Sequence, residues 1–445
     1  MNAAGVILTL LFSLAVLAAP RRYALWGVIG ATCYLTQGQQ IIVAGFHFTA
    51  LRLVLLAGIL RSFGRGEFRE MGFNPIDKCF VVYVVSMLFM VTIAGNGAFY
   101  QVGCTYNMLL PYFLFRALLK NLEEFENFLA DLALLILPFT LFISQESFTG
   151  QNVFSAFGGV STMFRDGHFR AEAAFRSPIT AGTLGATLMP LFAGLFLTGR
   201  KRPYAIIGIV AATIIVICSR SSGPLLAYGS AILALVFWRW REHMRRLRWT
   251  VLITLVALHL YMKAPVWFLM GHMSDLVGGG GWYRAEIVDQ AVNHFRAWWL
   301  MGTSDIASWS PTPLADGAAD LTNQFVVAGV RGGLWSLIVF IVIFVRCFRY
   351  LGLAMQKVRG LVLDIEWMLW ATGAALYGTM VNFFSISYFD QIDVIWYLLL
   401  AAISTVTFSI LNEQVPNNTP TEGQSEKPTH FVEPAFHHPI ISKLT

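Results

Sequence analysis

Arginines at three places in this chain could hold phosphate. The stretch 146–178 carries Arg165, Arg170 and Arg176. The run ICSRSSGPLLAYG (217–229) carries Arg220 between two apolar blocks, and the stretch 266–322 carries Arg284 and Arg296. A guanidinium is a planar fork that grips phosphate or pyrophosphate with two parallel hydrogen bonds. Several of them meeting at one membrane face would suit a lipid-linked pyrophosphate. The plainer reading is that they snorkel to the interface, touch lipid phosphate, or pair with Glu172, Asp275, Glu286 or Asp289. A cation at the end of a membrane helix is costly unless it has water, a partner or a role. The elements that carry these arginines therefore come next.

The chain has 445 residues, 56% of them hydrophobic and only 13% charged. A soluble protein carries about a quarter charged residues. The apolar residues fall in blocks long enough to span a bilayer as helices, with none of the roughly ten-residue alternating segments of a barrel. The expected fold is an all-α polytopic membrane protein of about 12–13 transmembrane helices. The spans are placed at 4–19, 23–37, 40–60, 79–96, 103–119, 125–145, 179–198, 203–218, 223–238, 249–265, 323–345, 362–382 and 391–411. The first block has no basic residue ahead of it and is taken as a retained helix, not a signal peptide.

Six short basic loops, including Arg21–Arg22, Arg200–Lys201–Arg202 and the run from Arg239 to Arg248, then lie on one face. By the positive-inside rule that face is cytoplasmic, which puts the N-terminus outside and the C-terminus inside. The net charge of +6 is absorbed by this bias and does not point to nucleic acid. The opposite face holds two larger loops, 146–178 and 266–322, the second partly helical, with Trp282, Trp298 and Trp299 placed at headgroup level. The membrane domain is 1–411, and 412–445, rich in Pro, Asn, Thr and Glu, is expected to be a disordered cytoplasmic tail. Five scattered cysteines form no metal or disulfide pattern.

Four motifs on the outer face resemble those of the O-antigen ligase and polymerase superfamily of bacterial cell-envelope glycan enzymes. They are RAEAAFRSPITAGTLGATLMPL, SRSSGPLLA, WYRAEIVDQAVNHFRAWWLMGTSD and LTNQFVVAGVRGGL. Each is weak alone; their order, spacing and common side carry the resemblance, which covers residues 40–410. It implies glycosyl transfer at the periplasmic face of the inner membrane. The donor would be a glycan on undecaprenyl pyrophosphate and the acceptor a glycan or lipid. Membrane lipids and other envelope polysaccharide assembly proteins would be the partners, with no metal and no other cofactor. By motif position, Arg220 and Arg284 would be catalytic and bind the pyrophosphate, with Arg170 and Arg176 as further binding residues. Asn323 and Asp320 would complete the catalytic set.

The chain departs from the family at one point. Thr322 precedes Asn323 where ligases commonly carry histidine, and a threonine hydroxyl is a poor general base. Substitutes are Asp320, Glu286, Glu172, His168 and His272; Asn323 also fits a plain helix cap. The departure favours a polymerase over a ligase. Arg52, inside the third span, either meets donor phosphate or serves packing. A transporter would need embedded carboxylates, for which Asp131 and Glu366 are the candidates. A metal-dependent transferase would need an acid in its first outward turns, and those at 37–40 and 97–102 have none. A non-catalytic scaffold is the third alternative.

Overall fold

The computed structural model describes residues 1–43, 46–95, 98–311 and 320–412. Helices α1 (Ala3–Ala18) and α2 (Arg21–Tyr34) are followed by a hairpin of β1 (Gln40–Val43) and β2 (Phe46–Thr49). Then come α3 (Ala50–Gly64), α4 (Pro75–Ile93), α5 (Ala98–Leu118) and α6 (Leu122–Thr149). A second hairpin, β3 (Met163–Arg165) and β4 (His168–Arg170), precedes α7 (Pro178–Leu197), α8 (Arg202–Ser219), α9 (Ser222–Val236) and α10 (Met244–Tyr261). Three short helices follow: α11 (Leu269–Val277), α12 (Gly281–Asn293) and α13 (Phe295–Trp298). The chain closes with α14 (Gln324–Val358), α15 (Leu363–Asn382) and α16 (Gln391–Asn412).

This is an all-α polytopic membrane protein. Among the described residues, thirteen helices, α1–α10 and α14–α16, stand where spans are expected. Six are long and apolar enough to cross a membrane, or seven with the bent run Ser222–Tyr261 and Val266–Asp275. The third expected span, 40–60, needs correction. Residues 40–43 pair antiparallel with 46–49, Gln40 opposite Thr49 and Ile42 opposite His47, and the helix runs only over Ala50–Gly64. The stretch QIIV looks apolar enough for a span, but Thr49 caps the helix by accepting the Arg52 N–H and so sets its start. Loop 146–178 likewise begins later, because α6 runs on to Thr149. The tail 413–445 lies outside the described residues.

Loop-to-loop ion pairs tie the basic loops together on one face. Arg21 meets Glu70 and Glu124, Lys120 meets Glu70, Arg200 meets Glu126 and Asp364, Arg241 meets Glu366, and Arg359 meets Glu242. Deeper on that side, Asp77 is fully buried and accepts from Arg116 Nε (2.9 Å) and Nη2 (3.0 Å), Tyr112 and Ser404. This knot fastens α4, α5 and α16. On the other face Gln391 Nε2 donates to the carbonyls of Leu35 and Ala174.

Small residues let the central helices approach closely. A Cβ on Gly185 would lie 2.4 Å from the Ala212 carbonyl and one on Gly182 2.3 Å from Ser219 Oγ, so α7 and α8 touch backbone to backbone. That contact fixes the end of α8, and with it the turn that carries Arg220.

Candidate functional site at the outer arginines

The site begins at the end of α8. Arg220 takes a left-handed conformation (φ 45°, ψ 45°) that stops the helix, and α9 starts two residues later. A non-glycine residue in that region stores strain. Arg220 itself is exposed. The loop after β4 docks on this turn: the Ala171 N–H donates to the Cys218 carbonyl at 3.1 Å, and Arg170 Nη2 donates to Ser221 Oγ at 2.7 Å. The Nε of Arg170 is buried without a hydrogen-bond partner among the described residues.

The glycine run before α12 delivers the second arginine. A Cβ on Gly279 would fall 2.2 Å from Ser222 Oγ, so only glycine lets this strand lie on the first turn of α9. One turn into α12, Arg284 is half-buried, and its side chain makes no hydrogen bond or ion pair among the described residues. Burial lowers its pKa, and the nearby positive charge of Arg170 lowers it further. Burial is also the main cause lowering that of Arg170. Both remain charged at neutral pH. Two cations thus share a half-buried place in which no carboxylate among the described residues forms an ion pair with either.

A carboxyl does stand near, and its state matters. Glu172 and Glu146 are both buried. Glu146 accepts from Thr162 Oγ1 at 2.9 Å and from the N–H groups of Glu172 (3.2 Å) and Ala173 (2.7 Å). Glu172 Oε1 has no hydrogen-bond partner among the described residues. Burial, then the neighbouring Glu146, pushes the Glu172 carboxyl up to about 8, against the pull of Arg170. Near neutral pH it holds its proton. Ala173, which follows it, is left-handed (φ 51°), a second strained residue in the same loop.

The return into the membrane lies beside α12. The Tyr283 hydroxyl donates to the Asp320 carbonyl at 2.8 Å, and burial raises the Asp320 carboxyl pKa. The Thr322 hydroxyl is buried without a hydrogen-bond partner among the described residues. Asn323 caps α14, accepting the N–H groups of Phe325 (3.0 Å) and Val326 (3.1 Å). Gly333 breaks α14 (φ 73°, ψ 172°), and the Leu334 N–H reaches the Trp299 carbonyl at 2.8 Å.

Of the expected residues, then, Arg170, Arg284 and the Arg220 turn come together, and Asp320 is tied to the neighbour of Arg284. Arg176 goes elsewhere. It is exposed and faces Asp390 at 3.9 Å, on the rim of a cavity shared with Arg52 and Ala174. His168 is exposed on β4, His272 lies 3.8 Å from Asp275, and Glu286 accepts from Gln290 at 2.7 Å. Of the three tryptophans placed at headgroup level, Trp282 and Trp299 are exposed and Trp298 is not. Its ring is buried, and its indole N–H donates to the Ala291 carbonyl at 2.7 Å. The cavity itself was not legible in advance; the alternation QIIV–FHFT around Ala44–Gly45 was the available signal for the hairpin that walls it.

The two carboxylates a carrier would need are occupied. Asp131 takes both Nε and Nη2 of Arg22 at 2.7 Å, and Glu366 takes the Gly360 N–H at 2.7 Å. Comparison with known proteins finds no family model and no curated relative that matches this chain.

Proposed function

We propose that this protein transfers a glycan from a lipid-linked pyrophosphate to an acceptor at the face opposite the basic loops. By the charge bias of those loops, that face is the periplasmic side of a bacterial inner membrane and the C-terminus is cytoplasmic. The donor is a glycan on undecaprenyl pyrophosphate, and polymerase-type chemistry is favoured because Thr322 cannot act as the base.

One observation carries the reading: Arg170 and Arg284 converge half-buried beside Ser221 with no ion-pair partner among the described residues. Charge develops on the departing pyrophosphate, and cations already fixed there stabilise it without reorganising. Glu172, neutral at pH 7, adds a hydrogen-bond donor that does not repel an anion. Asp320, whose backbone is tied to Tyr283, is assigned to take the proton of the acceptor hydroxyl. Arg220 gives the turn its shape and offers a solvent-side cation.

The test is a deletion strain whose lipid-linked intermediates are extracted and sized. Single repeat units on undecaprenyl pyrophosphate are expected to accumulate. Full-length polymer on the carrier would instead make the protein a ligase. Glycan trapped at the inner face would sink the transferase reading.

A further inference from the structure

The cavity on the outer face has a volume of about 610 Å³. Ligand pockets commonly span ~300–1,000 Å³. None of Arg170, Arg220 and Arg284 lines it. Its nearest link to them is the segment 170–176, whose ends are at most ~20 Å apart in a fully extended chain.

The walls are built by bonds of the protein's own. Thr36 Oγ1 donates to the Phe157 carbonyl at 2.6 Å, and Gln391 clamps Leu35 and Ala174. A Cβ on Gly38 would lie 2.2 Å from the Gly158 carbonyl, so two loops close the wall backbone on backbone. Arg52 is part of this masonry. Its three nitrogens donate to Asn107 Oδ1 (2.8 Å), the His47 carbonyl (2.5 Å) and the Gly103 carbonyl (3.4 Å), lashing the β1–β2 hairpin to α5. That resolves Arg52 toward packing.

What remains to meet a ligand is mixed. Asp390 and Asp393 present carboxylates, and Asp390 Oδ2 is buried with no hydrogen bond, its closest cation being Arg176 at 3.9 Å. Asp390 is held left-handed (φ 58°) at the start of α16. Thr49 and Gln40 add groups that both donate and accept, while Leu51 and Phe175 add apolar surface. A simple anion fits this lining poorly, since Arg52 is engaged and Arg176, at the rim, already faces the Asp390 carboxylate. A polyol fits it well. Each sugar hydroxyl donates and accepts at once, and the C–H faces of a ring pack on apolar side chains.

We propose that this cavity is a sugar-binding subsite, distinct from the arginine cluster, in which Asp390 accepts hydroxyl or ammonium hydrogens of a neutral or amino sugar. That the sugar belongs to the acceptor rests on the transferase reading; that the cavity takes a sugar does not.

The experiment is saturation-transfer NMR on the full-length protein in nanodiscs. The probes are methyl glycosides of hexoses, 6-deoxyhexoses, N-acetylhexosamines, amino sugars and uronic acids, with inorganic phosphate as competitor. At least one neutral or amino glycoside is expected to give a signal that phosphate does not displace. Asp390→Asn should cut it more than fivefold. Val160→Trp, a filling change at a half-exposed loop residue on the cavity wall, should abolish it. No signal from any glycoside, a signal that survives both substitutions, or displacement by phosphate would overturn the subsite. Sugar binding together with unchanged lipid-linked intermediates in the deletion strain would overturn the transferase reading and leave the subsite standing.

Discussion

Arg116 and Arg284 sit at opposite faces of the molecule and are treated in opposite ways. Arg116 is buried and spends its guanidinium on Asp77, Thr405 and the Gly72 carbonyl. Arg284 is half-buried, has a second arginine for company, and its guanidinium bonds to nothing among the described residues. A buried charge that serves the fold is matched on every side. One that is desolvated and left unmatched raises the free energy of the empty protein, and an arriving anion relieves it. The difference separates structural from functional arginines better than sequence position does.

The largest effect should come from breaking the matched pair. Asp77→Ala leaves the Arg116 charge buried and alone, at a cost of about 3–5 kcal/mol. Little folded protein should survive thermal unfolding in detergent, whereas the double change Asp77→Leu with Arg116→Leu should regain most of the stability. Full stability of the single variant would show the knot to be dispensable.

Arg284→Ala should do the reverse. Transfer should fall by roughly 100-fold or more, the scale for losing one preorganised charge stabiliser, while Tm stays within a few degrees. Arg284→Lys should restore only part of the activity, because a point charge does not replace the fork. Equal losses of stability and activity would place Arg284 with Arg116.

Glu172 sharpens the comparison through pH. Its folded pKa, about 8, lies above the ordinary carboxyl value of 4.5. The folded state therefore binds more protons than the unfolded state between those values, and stability falls as pH rises through that window. The contribution is whole below pH ~4.5 and gone above ~8. Melting curves of Glu172→Gln should lack this slope. A wild-type profile that is already flat would mean that Glu172 is ionised.

Smaller still is Gly333→Ala. The added methyl would meet the Leu300 carbonyl at 2.7 Å in a left-handed conformation, a strain of order 1–3 kcal/mol. Smallest is Arg176→Ala, an exposed residue 3.9 Å from its partner, worth about 0–1 kcal/mol. Its loss should lower transfer less than tenfold. A drop as large as that of Arg284 would rejoin Arg176 to the cluster.

Helix positions and the shared face of the basic loops were legible because hydropathy and arginine placement are imposed directly by the bilayer. The meeting of Arg170, Arg284 and the 219–222 turn was legible in outline from motif order. Other features depended on contacts distant in sequence. Glu172, in a loop, is neutral because it is buried and, second, because Glu146 of α6 stands beside it. Arg176 parts from Arg170 because the strained Ala173 and the clamp from Gln391 turn the chain away. Trp298 is buried because it joins a cluster with Leu321 and Val330 from the far end of its loop. The hairpin at 40–49 looked like a span because hydropathy does not distinguish QIIV in a strand from QIIV in a helix.

The break in α14 has a mechanical consequence. At 35 residues an unbroken helix would be ~52 Å long, far beyond the ~30 Å hydrocarbon layer. Gly333 divides that length. Both sides of it are moored to the 299–303 turn, residues 324–332 through the Val330 carbonyl that accepts the Thr303 N–H, and the longer part through the Leu334 N–H on the Trp299 carbonyl. The joint is therefore a clamped elbow: the loop sets the angle between the two pieces, and the glycine only permits it.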